Sequence, residues 1–359
     1  MTRMNVASPN SGLSALRAAV RRAPAYPFTP IEARIKLDQN ESAYDFPAAL
    51  KELALERLGN TDWNRYPDIH ADRLRVSIGA FNNHDPHGVV VTPGSNVLIH
   101  ALAQAAGIGQ RLLTLTPGFS LYALSGKLLE SELTELPLEP AFGLPIEALL
   151  RELQRGSGVL FLAEPHAPTG ALHSDTQIER ILEAAGNWIV VLDEAYYEYA
   201  GRNHLGFLAR GNVCILRTFS KAWGLAGPRL GYLLAQPELA ENIQKICSPF
   251  NVSILSTVVA QVALEHPEYV QTRVNEALLE RARVYVALKG HGSWTIYPSH
   301  ANYHLIRTND AKRAHAQLLA HGVLVRRQDS LPGLEGCIRV SVGSPAENTA
   351  FITAALELR

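Results

Sequence analysis

The sequence predicts an α/β protein: a large α/β domain on a mostly parallel central sheet, joined to a smaller α+β domain. Two observations predict it. Short, continuous apolar runs alternate with helical periodicity between about residues 48 and 216, the mark of parallel strands covered on both faces. After about residue 251 the pattern changes to two longer helices followed by further strands. The length agrees, because 359 residues are enough for two domains.

The elements follow in order. Residues 1–30 read as an arm, a short basic amphipathic stretch leading into Ala23-Pro24-Ala25-Tyr26-Pro27. Apolar spacing predicts helices over 48–58, 96–106, 119–129 and 176–185, and continuous apolar runs predict strands over 89–91, 111–115, 159–163, 188–192 and 213–216. Beyond them, helices are expected over 254–264 and 272–288, strands over 302–306, 323–326 and 337–342, and a helix at the end. The large domain is therefore expected over 45–250. Residues 1–44 and 251–359 form the small domain with its N-terminal arm.

Composition narrows the function. Apolar residues make up 47% and charged residues 19%, with a net charge of -1, so the chain is globular rather than disordered. A nucleic-acid binder would carry a basic excess, and none is present. Cys214, Cys247 and Cys337 are sparse and widely spaced, which fits a reducing compartment and neither a disulfide framework nor a zinc site. No signal-peptide core and no bilayer-length apolar run is visible. The expectation is a soluble, cytoplasmic protein without metal, nucleic-acid or membrane partners.

In a parallel sheet, ligands gather beyond the carboxyl ends of the strands, and four such junctions are rich in chemistry. Thr92-Pro93-Gly94-Ser95-Asn96 joins a strand to a helix. Its backbone N–H groups suit an anion; taken alone it is an ordinary Pro-Gly turn with a Ser or Asn cap. Asp193 ends an apolar strand. A carboxylate there is either a cap for the next turn or the partner of a cation, such as a protonated pyridine nitrogen. Thr218, Ser220, Lys221 and Arg229 cluster after the next strand. A desolvated lysine loses its proton readily and can form a Schiff base, while Ser220 and Arg229 suit a phosphate. Most lysines are surface loop residues, and this clustering argues against that reading. In Glu164-Pro165-His166-Ala167-Pro168-Thr169-Gly170, a rigid turn, His166 is the side chain with acid–base capacity. Each junction is weak by itself; together they describe a phosphate cradle, a cation partner, a Schiff-base lysine and a rigid wall.

With these segments in view, the chain resembles the fold-type I pyridoxal-phosphate (PLP) aminotransferases, and most closely the histidinol-phosphate aminotransferase family. The resemblance runs from about Ile35 to the C-terminus. It is carried by LDQNES (37–42), NRYPD (64–68), TPGSN (92–96), APTG (167–170), DEAYYEY (193–199), RTFSKAWGLAGPRLGY (217–232) and CIRVSVG (337–343). It implies that Lys221 holds PLP, that Asp193 pairs with the pyridinium nitrogen and that Tyr196 bonds the phenolic oxygen. Gly94, Ser95, Asn96, Thr218, Ser220 and Arg229 would hold the phosphate. Phe119 stands where the family usually has a tyrosine stacked on the ring. Tyr66 would reach the phosphate of a neighbouring subunit, which implies a homodimer. Arg339 and Arg326 match anion-binding arginines, and Asn40 and Tyr26 match positions lining the substrate pocket. The family reaction is amino transfer from L-histidinol phosphate to 2-oxoglutarate, giving imidazole-acetol phosphate and glutamate in histidine biosynthesis, with Lys221 as general base.

One departure stands out. The family commonly has Asn before Pro-Thr-Gly, donating to the phenolic oxygen, and here Ala167 takes that place. Either His166 takes over, or Tyr196 supports the oxygen alone and His166 is a capping or water-bonded loop residue. Other readings share the same residues: transamination of an aromatic or other amino acid, decarboxylation of a phosphorylated amino acid, or a non-catalytic PLP-fold binding protein.

Overall fold

A computed structural model describes residues 11–24 and 29–358. The first strand, β1 (Ile35–Leu37), belongs to a small sheet completed near the C-terminus. The next seven form the large sheet: β2 (Val89–Thr92), β3 (Arg111–Thr116), β4 (Glu132–Pro137), β5 (Gly158–Ala163), β6 (Trp188–Asp193), β7 (Val213–Thr218) and β8 (Gly231–Leu234). Their order is β2-β8-β7-β6-β5-β3-β4. Every pair is parallel except those made by β8, so the mostly parallel sheet is present.

Alternate residues of these strands feed two separate apolar clusters. Val190 and Leu192 face one, and Val191 faces the other. Both faces are covered, and for that reason the strands read as unbroken apolar runs. Helices Ala48–Gly59, Ser95–Gly107, Ser120–Leu129 and Asp175–Ala184 lie where the spacing predicts them. A capping box between Ser174 and Gln177 starts the last of these, satisfying orphan amide donors.

The small sheet adds β9 (Thr295–Ile296), β10 (Tyr303–Arg307), β11 (Val323–Arg327) and β12 (Cys337–Ser341), in the order β1-β11-β12-β10-β9. Helices Ala311–Ala320 and Pro345–Glu357 supply its apolar cover. Helix Ile254–Glu265 packs against Ala48–Gly59 and Asp72–Asn82. Its Ala260, Val262 and Ala263 join a core of the large sheet, which thus takes in residues beyond position 251.

Strands β1, β4, β8 and β9 go beyond the predicted set, as do helices Asp72–Asn82, Ile146–Leu153, Pro237–Gln244 and Ala311–Ala320. Among the described residues, no helix is long and apolar enough to cross a membrane.

Candidate active site

The strand directions bring β2, β3, β5, β6 and β7 to end on one edge of the large sheet. Lys221 lies just past β7. Its Nζ donates to the Gln39 carbonyl at 2.8 Å and stands 5.8 Å from the centre of the Tyr196 ring. Burial, helped by the positive charges of Arg339 and Arg229 and opposed by Glu41, pushes the Lys221 ammonium down to about 8. A lysine of this kind carries an appreciable neutral fraction near physiological pH.

Asp193 is the last residue of β6 and is 6% exposed. Its Oδ1 accepts the Ala195 N–H at 3.1 Å, and its Oδ2 accepts the Tyr122 hydroxyl at 2.7 Å. Burial pushes the carboxyl up to about 6, while both hydrogen bonds pull it back and Glu194 adds a smaller push upward. The group is therefore mostly ionised at pH 7, ready to meet a cation.

Tyr196 receives a hydrogen bond from Asn40 Nδ2 at 2.9 Å. Burial raises its phenol, with Arg339 and that hydrogen bond opposing, so it stays protonated and can donate. Asn40 adopts a left-handed backbone, φ 54°. Its Oδ1 accepts from Ser341 Oγ at 3.1 Å, and its carbonyl accepts from Asn302 Nδ2 at 3.1 Å. The segment around Gln39 and Asn40 is thereby strapped from the small sheet across to Lys221 and Tyr196.

The cradle forms where the chain enters helix Ser95–Gly107. Gly94 is its N-cap, with φ 84°. A Cβ there would stand 2.6 Å from Arg229 Nη2, and a Cβ at Gly231 would stand 2.2 Å from the Ser95 nitrogen. Only glycine permits both approaches. Arg229 Nη1 donates to Ser220 Oγ at 3.3 Å, and the Ser220 N–H donates to Thr218 Oγ1 at 3.1 Å. Gly94, Ser95, Thr218, Ser220 and Arg229 thus bound one space beside a helix N-terminus, an arrangement suited to a phosphate. Asn96, one residue further, is exposed.

Phe119 stands just before helix Ser120–Leu129, its ring edge-on to Tyr122 at 5.5 Å. His166 is buried, and its Nδ1 lies 2.8 Å from Thr169 Oγ1. Burial and then the nearby His173 push its imidazolium down to about 3, so the ring is neutral and engaged within its own turn. Arg339 donates from Nη2 to the Asp38 carbonyl at 3.0 Å, and its guanidinium lies 5.3 Å from the Tyr303 ring centre. Its buried Nε has no partner among the described residues. Arg326 faces Arg339 across the β11–β12 register. Tyr66 is 84% exposed and packs on Phe250 at 4.9 Å between ring centroids. Tyr26 lies outside the described residues.

Three participants escape the sequence reading: Tyr122 on Asp193, the Gln39 carbonyl on Lys221, and the buried Glu194–Arg217 pair behind Asp193. Tyr122 had a signal, since it follows Phe119 by one helical turn. Among the described residues, no cluster of three or more His, Cys, Asp or Glu side chains is placed to hold a metal ion.

PLP fits these residues. The glycine-lined cradle, the buried carboxylate of Asp193, the phenol of Tyr196 and the depressed amine of Lys221 are groups of the kind that its phosphate, ring nitrogen, phenolic oxygen and aldehyde would require. Fold and site together define an enzyme of the lysine-centred PLP class. Residues 32–354 match the family model described as aminotransferase class I and II, and the chain belongs to that family. It is 51% identical to a histidinol-phosphate aminotransferase of Deinococcus radiodurans, with 98% of each chain covered. It is 37% identical to one of Thermococcus gammatolerans, over 92% of this chain and 94% of that one. Its fold resembles the crystal structure of histidinol-phosphate aminotransferase from Sinorhizobium meliloti in complex with pyridoxal-5'-phosphate: the TM-score is 0.86 at 23% identity, covering 96% and 97% of the two chains.

Proposed function

We propose that the protein transfers the amino group of L-histidinol phosphate to 2-oxoglutarate, using PLP held by Lys221. One observation carries the chemistry: a buried lysine with its ammonium pushed down to about 8 stands among a buried carboxylate, a buried phenol and an arginine with an unpartnered Nε. The names of the Deinococcus and Thermococcus relatives support the choice of donor.

When bound, PLP supplies an electron sink that stabilises negative charge at the substrate carbon. Asp193 keeps the ring nitrogen protonated by offering it a carboxylate. Tyr196 and the Asn40 behind it set the donor at the phenolic oxygen. The cradle around Gly94, Ser220 and Arg229 anchors the phosphate end. Lys221, as a free amine, would take the proton from the substrate carbon and deliver it two bonds away, past the intervening nitrogen. Arg339, whose buried Nε has no partner among the described residues, binds the anionic end of each substrate in turn, the carboxylate of 2-oxoglutarate or the phosphate of the donor. Arg326, across the strand pair, adds positive charge to the same end.

The reading includes a homodimer in which Tyr66 reaches the neighbouring cradle; its 84% exposure in the single chain supports this. It also includes a cytoplasmic setting, in keeping with a biosynthetic reaction. The test is a comparison of kcat/KM for L-histidinol phosphate, aromatic amino acids and phosphorylated amino acids, each with 2-oxoglutarate. The proposal expects L-histidinol phosphate to lead by at least tenfold. A higher value for an aromatic amino acid, or carbon dioxide release from a phosphorylated one, would replace it.

A further inference from the structure

We propose that Tyr122 is the positioning residue for Asp193: its hydroxyl holds the carboxylate in line with the ring nitrogen of bound PLP. The inference rests on the cofactor reading of the site and adds a residue to it.

The geometry leaves Tyr122 one orientation. Its ring stacks on Phe161 of β5, with centroids 5.0 Å apart and planes 8° apart. Phe119 closes its edge at 5.5 Å and 85°. The residue is 2% exposed, and its hydroxyl reaches Asp193 Oδ2 at 2.7 Å. Burying a hydroxyl is unfavourable unless it finds a partner, and phenylalanine would fill the same space without that penalty. The hydroxyl is accounted for by the carboxylate it meets.

The arrangement also ties two cofactor contacts to one helical turn. Phe119, the N-cap of helix Ser120–Leu129, and Tyr122 in its first turn stand three residues apart, and their rings meet at 5.5 Å. Phe119 is placed to stack on the ring, and Tyr122 to set the carboxylate at its nitrogen. Asp193 holds the Ala195 N–H on Oδ1 and Tyr122 on Oδ2. Each carboxylate oxygen has a second acceptor direction, so both donors can stay while the pyridinium binds. The charged and titratable neighbours of Asp193 are Glu194, which follows it, Tyr196 in the next turn, and Tyr122 from the helix. Of these, Tyr122 is the one that donates to it. Without that donor the carboxylate is both freer to rotate and harder to ionise.

The test is a double-mutant cycle with Tyr122→Phe and Asp193→Asn, read first as the dissociation constant of PLP from cofactor-free protein. Tyr122→Phe keeps the ring and its stacking, and thermal unfolding checks that the fold persists. It is expected to weaken PLP binding by about tenfold, the scale of one charge-assisted hydrogen bond. It should also move the acidic limb of the pH–kcat profile upward, leaving KM for 2-oxoglutarate unchanged. Combined with Asp193→Asn, the same substitution should add no more than a small further loss. PLP affinity unchanged by Tyr122→Phe, or a full tenfold loss that persists in the Asp193→Asn background, overturns the inference while the cofactor reading stands. A wild-type protein that fails to bind PLP overturns both.

Discussion

Lys221 should react as an amine at pH values where ordinary lysines are inert. With the ammonium pushed down to about 8, about a quarter of the side chain is neutral at pH ~7.5. An ordinary lysine near 10.5 is neutral about once in a thousand molecules. Reductive methylation with formaldehyde, followed by peptide mass analysis at Lys221, reads the neutral fraction across pH ~6–11 without needing the cofactor. Two substitutions should move the midpoint in opposite directions. Glu41→Gln removes the charge that favours the ammonium, so the midpoint falls. Arg339→Gln removes a like charge, so it rises. Burial, the largest cause, remains in both variants, so neither should restore the ordinary value. A wild-type midpoint near 10.5, or one that ignores both substitutions, refutes the electrostatic account. Linkage gives a second sign. Because the folded pKa is lowered, the native state binds fewer protons between about pH 8 and 10.5. The penalty is fully present below about pH 8 and fades as pH rises through that window, so the Lys221 contribution should make the protein more stable there.

Three further outcomes follow from the packing. Gly94→Ala puts a Cβ 2.6 Å from Arg229 Nη2 at a backbone φ of 84°; PLP affinity, measured by equilibrium dialysis, should fall by at least about tenfold. Asn40→Ala loses two buried side-chain hydrogen bonds and strains a left-handed backbone, for a loss of about 3 kcal/mol in denaturant unfolding. Asn40→Gly should lose about 1 kcal/mol less, and equal losses would remove the backbone part of the argument. Arg217 donates from Nε to Glu194 Oε2 at 2.8 Å in a fully buried pair; Arg217→Met should destabilise the protein by about 3 kcal/mol, because it strips the cation from a buried carboxylate and leaves it the His204 hydrogen bonds on Oε1. A loss under about 1 kcal/mol in the same unfolding assay would show that the pair is not structural.

How much of this was legible in the sequence depended on where the partner lay. Strands β2, β5 and β7 are buried on both faces along their whole length, and β6 is buried everywhere but at Ile189, so their apolar runs announce them. β4 carries Glu132 and Glu135 at the edge of the sheet and is exposed or half-exposed at every position, which hides it. β1 has three residues and is a strand because Ile35 pairs with Val323, a relation no local window contains. The site divides the same way. Asp193 and Lys221 follow apolar strands, so their chemistry stands out against the runs before them. The hydrogen bond between Asn40 and Ser341 spans 301 positions, and the bond from Lys221 to the Gln39 carbonyl spans 182. Tyr122 falls between these cases. Its helical offset from Phe119 was visible, but its role required β5 and β6 to set Phe161 and Asp193 around it.

The central claim is a Lys221-held PLP that accepts an amino group from L-histidinol phosphate. The most direct measurement is the visible absorbance of the PLP-loaded protein during titration with L-histidinol phosphate, without any keto acid. The account predicts that the band of lysine-bound PLP gives way to that of the aminated cofactor, and that 2-oxoglutarate then restores it. A band that ignores L-histidinol phosphate but responds to an aromatic or phosphorylated amino acid contradicts the substrate assignment. A protein that shows no lysine-bound PLP at all contradicts the account from Lys221 outward.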